Sequence, residues 1–136
     1  MTVQLSEASL TLAGVLLITL VAVEYGGTFL LRVSTGRAPA TDLQRRFYRA
    51  GHAHAGMLVT LALVVQPFVA AAGLSGGWEL LARSGVAWAA VLMPAGFFLS
   101  AAGRGRTEPT RLVLLVRVGA AVLAASVLTL GIGLLS

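Results

Sequence analysis

The chain has 136 residues, of which 57% are hydrophobic and 11% charged, and its mean hydropathy is +0.90. Soluble domains are about half apolar and about a quarter charged, so a soluble globular fold and disorder are both excluded. The formal charge is +5, all ten basic residues are arginine, and there is no cysteine, which rules out disulfides, thiol redox chemistry, iron–sulfur clusters and thiolate metal sites.

The apolar residues fall into four blocks long enough to cross a bilayer. The expected fold is all-α: an integral-membrane four-helix bundle, one four-span domain over 1–136. The first block, 8–31, is interrupted by Glu24 and Tyr25. No arginine precedes it, and Arg32 and Arg37 follow it. A cleaved leader has the opposite charge order, so this block reads as a retained transmembrane helix.

A linker with Gly36 and Pro39 comes next. Thr41-Asp42-Leu43-Gln44 then has the form of a capping box. It predicts a second helix over 42–74, the longest of the four. Its first two turns carry Arg45, Arg46, Tyr48 and Arg49 in the headgroup zone. Leu74-Ser75-Gly76-Gly77 reads as a turn, with Trp78 as an interface anchor. The third span is expected over 80–101, and Pro94 inside it predicts a kink unless its freed carbonyl finds another partner. A second basic loop carries Arg104 and Arg106, and Thr110 caps a fourth span over 111–135. The loop Gly36–Thr41 resembles Gly105–Thr110. That fits either two duplicated hairpins or two unrelated glycine/proline loops capped by threonine.

Eight of the ten arginines lie in 32–49 and 102–111. Cytoplasmic loops are enriched in arginine, so both termini are expected on the non-cytoplasmic side of a multi-pass protein of the cytoplasmic (inner) membrane. The same distribution attributes the basic charge to orientation in the bilayer, not to nucleic-acid binding.

Ionisable groups inside a span are costly and mark functional sites. Glu24, His52, His54 and Arg117 are the four candidates. At about 1.5 Å per residue, Glu24 lies about 12 Å beyond Arg32. His52 and His54 lie about 4 and 8 Å beyond Arg49, and Arg117 about 9 Å beyond Arg111. Overlapping depths predict one polar pocket, with the Glu24 carboxylate in hydrogen-bond reach of His54 or Arg117, directly or through one water. In that pocket His54, Glu24 and His52 are the candidate catalytic acid/base groups, and Arg117, Tyr25 and Tyr48 the candidate substrate contacts. The structural alternative is an ion pair between Glu24 and Arg117, a snorkelling arginine, and histidines acting as interhelical glue.

Residues i and i+2 point about 200° apart on a helix, so His52 and His54 cannot chelate one metal together. Haem or a metal ion, if present, would be held through His54 or His52 singly; no cofactor is required by the sequence. Periodicity places His54 on the apolar face with Gly51 and Leu58. It places His52 with Arg45 and Arg49, towards a polar neighbour or the headgroups.

The stretch Arg49-Ala50-Gly51-His52-Ala53-His54-Ala55-Gly56, opening helix 2 after an arginine, resembles small four-span membrane proteins of the hydroxylaminobenzene mutase type. The resemblance implies an isomerase-type activity on a small hydroxylamino-aromatic substrate, with His54 or His52 as acid/base. The alternating histidines are also similar, more faintly, to the histidine-bearing helices of haem–copper oxidase subunits. Three functions stay open: an intramembrane enzyme for a small apolar substrate, an accessory or scaffold subunit of a larger membrane complex, and an oligomeric transporter or channel subunit with a Glu/His/Arg relay. The expected partners are the bilayer and either further copies of the chain or a larger complex.

Overall fold

The computed structural model describes residues 4–136. They form four helices: α1 (Glu7–Ser34), α2 (Asp42–Ala71), α3 (Gly76–Ser100) and α4 (Leu114–Leu135), the last preceded by a 3-10 turn at Arg111–Val113. No strand occurs among the described residues. The four helical segments are each long and apolar enough to cross a membrane.

Local chemistry sets the boundaries. Ser6 caps α1, its hydroxyl accepting from the Ser9 N–H at 3.2 Å. Gly36 at φ 72° ends the turn after it, a conformation glycine adopts without strain. The capping box of α2 is present in both directions: Thr41 Oγ1 accepts from the Gln44 N–H, and the Thr41 N–H donates to Gln44 Oε1. At 30 residues α2 is the longest helix. It ends at Ala71, three residues before the expected 74, and Gly73 at φ 61° turns the chain. α3 begins inside the expected turn, at Gly76, so only Ala72–Ser75 connect the two helices. α2 continues through Pro67 and α3 through Pro94. Thr110 caps the fourth segment, accepting from the Leu112 N–H, but the first turn is tightened to 3-10 before α4 proper starts.

The helices pack in chain order. α1 lies on α2, α2 on α3 and α3 on α4, with slight diagonal contacts and none between α1 and α4. The bundle is therefore open between its first and last helices. In α1 and α4 only 11% of the most apolar 18 residues is buried, against 33% and 39% in α2 and α3. The core is consequently centred on α2 and α3, around Leu58, Ala62, Val65, Ala82, Val86 and Ala89.

Small residues let the backbones approach, as helix pairs in lipid require. A Cβ built on Gly51 would lie 2.9 Å from the Phe98 ring. One on Gly96 would lie 2.7 Å from the backbone nitrogen of Val116, and one on Gly119 2.5 Å from Met93 Cγ. Ser126 adds a bond across the α3–α4 seam, donating to Leu81 O at 3.0 Å.

The two arginine-rich loops meet at one end. Gln44 Nε2 donates to Ala101 O at 3.0 Å and Gly103 O at 2.6 Å, and Thr41 Oγ1 donates to Arg106 O. At the other end Ser6 accepts from Arg83, and Leu74 packs where a Cβ on Gly133 would sit. Arg83 is the odd arginine at that end. It is ion-paired with Glu79 at 3.1 Å.

Candidate functional site

The expected sites start from the N-terminal half of α2, where the sequence places two imidazoles within one helical turn. Their separation around the helix is realised. His52 faces α1: a Cβ on Gly27 would lie 3.4 Å from its Cε1 and 3.5 Å from its Nε2. His54 faces α3, its ring centroid 5.1 Å from that of Phe97. Its Nδ1–H donates to Ala50 O at 2.7 Å, which fixes the tautomer and leaves Nε2 as the acceptor nitrogen. Both rings are half-buried. Within one chain each can offer a single nitrogen to a metal or haem, and never to the same ion. No group of three histidine, aspartate or glutamate side chains is placed to hold a metal among the described residues.

His52 packs against the paired glycines Gly26 and Gly27 of α1, with no polar partner bonded to it among the described residues. The two glycines create a flat strip on α1, and the imidazole fills it.

The larger correction concerns Glu24 and Arg117. Glu24 is exposed on a flank of α1, and Arg117 is exposed on α4. Neither has an ion pair or side-chain hydrogen bond among the described residues. No direct hydrogen bond or ion pair therefore joins Glu24 to His54 or Arg117 within the chain. The cause is the packing order: α2 and α3 stand between α1 and α4, and His54 turns towards α3. Similar distances from the helix ends do not bring the four groups to one side of the helices.

The tyrosines also part. Tyr25 is 78% exposed. Tyr48 is wedged between α1 and α3, with Phe29 edge-on at 5.5 Å and Phe98 stacked at 5.8 Å. Phe47 and Phe97 add an edge-to-face pair at 5.6 Å. These rings tie α1, α2 and α3 together just inside the basic end. Arg117, Tyr25 and Tyr48 thus do not line a common space within one chain.

Gln66 is not ionisable and is not among the residues expected at the site. It is the most enclosed polar side chain of α2, 1% exposed. Its Nε2 donates to Ala62 O at 2.8 Å and across to Arg83 O at 3.0 Å, while Oε1 has no partner. The available signal was an amide inside an apolar run, one residue before Pro67. In the half of the bundle away from the arginines, an open cleft of about 300 Å³ lies between α1 and α3. Leu12, Leu16, Trp88 and Val91 make it almost wholly apolar, with Thr19 and Ser84 as its hydroxyls.

No protein-family model, curated protein or solved structure matches the chain.

Proposed function

We propose that this protein is a multi-pass accessory subunit of the cytoplasmic membrane, working by docking through its outer helices rather than by chemistry of its own. Both termini lie on the non-cytoplasmic side in this reading, which the arginine distribution supports. The observation that carries it is the dispersal of the reactive groups: Glu24 faces outward on α1, Arg117 outward on α4, His52 lies against glycine, and His54 is committed to its own helix and Phe97. A general acid–base mechanism needs its groups within about 3 Å of a shared reacting atom. A docking protein needs what α1 and α4 offer, long helices left largely uncovered.

The test is site-specific photo-crosslinking in native membranes, with a benzophenone amino acid at Leu17 on α1 and at Leu128 on α4. Discrete protein-sized adducts from both positions are expected. Adducts to lipid alone overturn the reading. Turnover of a hydroxylamino-aromatic compound by the purified protein, lost on His54→Ala, replaces it with the intramembrane isomerase that the segment Arg49–Gly56 resembles.

A further inference from the structure

Glu24 and Arg117 are opposite charges on the two helices that never meet, at nearly the same depth from the same end. A carboxylate in an apolar span, about 12 Å along the helix from Arg32, is too short to snorkel, and it is costly without a compensating partner. No such partner exists within the described residues.

The surfaces around the two charges are also matched. On α1, Leu10, Gly14, Leu17, Val21 and Glu24 follow one another at alternating steps of four and three, and all are exposed. On α4, Arg117, Ala121, Ala124, Leu128 and Gly131 follow at the same alternation, exposed except for half-buried Gly131. This spacing belongs to helices that pack side by side with a slight left-handed twist. Gly14 and Gly131 have no neighbouring atom within 4 Å of an added Cβ. α1 runs towards the arginine-rich end and α4 runs away from it. Two copies in the same membrane orientation would therefore bring these helices together antiparallel.

With Glu24 level with Arg117, the remaining layers pair as Val21 with Ala121, Leu17 with Ala124, Gly14 with Leu128 and Leu10 with Gly131. Each layer sets a larger side chain against a small one. Such alternation lets facing helices interdigitate at close approach.

We infer that the occupant of these surfaces is a second copy of this chain: α1 of one copy packs on α4 of the next, and an interhelical ion pair between Glu24 and Arg117 within the membrane fixes the register. The contact joins two different faces, so it is head-to-tail and propagates from copy to copy. The inference rests on the docking reading above and names its partner.

The absence of cysteine gives a clean background for the test. Leu17→Cys and Ala124→Cys are placed in two differently tagged copies, co-expressed and oxidised in the membrane. The expected product is a mixed dimer, with no dimer from either variant alone. Dimers of Leu17→Cys with itself, or no disulfide at all, overturn the inference. Glu24→Arg should lower the mixed-dimer yield about tenfold, and adding Arg117→Glu should restore it to within about twofold. If Glu24→Arg fails to accumulate, Glu24→Gln is read instead. An unchanged yield with Glu24→Gln overturns the ion pair as the register element. Photo-adducts to another protein without the Leu17–Ala124 disulfide leave the docking reading standing and sink this one; lipid adducts alone sink both.

Discussion

His52 of α2 rests on Gly27 of α1, with its Cε1 only 3.4 Å from where a Cβ on that glycine would stand. α1 is held almost entirely by α2, so this imidazole is one of a small number of side chains that decide how firmly the first helix is attached. His54, two residues on, serves a different interface. The pair that looked like one chemical site divides its work between two helix contacts.

The two histidines should therefore separate in local stability. His52→Ala opens a gap over Gly26 and Gly27 and should raise hydrogen exchange in α1 while α3 and α4 stay protected. His54→Ala should instead loosen the α2–α3 contact at Phe97. Each loss is of the order of 1–3 kcal/mol, as for other truncations at packed sites. Equal effects of both variants on α1 exchange would contradict this division.

The glycines should show a graded response to alanine. Gly27→Ala makes only ordinary contact with an imidazole and should change stability by less than about 1 kcal/mol. Gly51→Ala must displace the Phe98 ring edge, 2.9 Å away. Gly96→Ala meets the backbone nitrogen of Val116 at 2.7 Å, which cannot rotate aside, and should cost the most, of the order of 1–3 kcal/mol or more. Unfolding in a detergent titration orders the three; Gly96→Ala as the mildest would be incompatible with the α3–α4 seam.

Thr41→Ala removes an N-cap hydroxyl that also donates to Arg106 O, so it should cost at least the roughly 1 kcal/mol usual for a cap. Gln44→Leu goes further. It leaves the carbonyls of buried Ala101 and exposed Gly103 without their amide donor, and the buried one alone should cost about 1–3 kcal/mol. The larger loss should belong to Gln44→Leu in the same titration.

Topology is checked with Ser6→Cys and Thr107→Cys in the cysteine-free chain. An impermeant thiol reagent added outside intact cells should label the first and not the second. Labelling of both from outside would refute the orientation inferred from the arginines.

What was legible in the sequence was local. Thr41 and Gln44 announce the start of α2 because both halves of a capping box lie within four residues. The arginines announce two loops at one end, and the structure brings those loops into contact through Gln44. The opposite facing of His52 and His54 follows from helical period alone. What was not legible was which helices touch. α1 and α4 are apolar nearly all round, so their periodicity does not select a buried face, and the depth of Glu24 and Arg117 carries no information about direction around the axis. Gln66 escaped for another reason. Its burial depends on Arg83 of α3 offering a carbonyl, a relationship seventeen residues away in sequence.

The tether from Gln44 to Ala101 and Gly103 also makes the two basic loops unequal in their tolerance of length. Residues 101–106 are held at three carbonyls by the start of α2, so an inserted residue there breaks a fixed span. The 36–38 stretch is bonded back only onto the end of α1, at Arg32 O and Val33 O. A tag inserted between α1 and α2 is accordingly expected to leave the fold intact, and one between α3 and Arg106 to disrupt it.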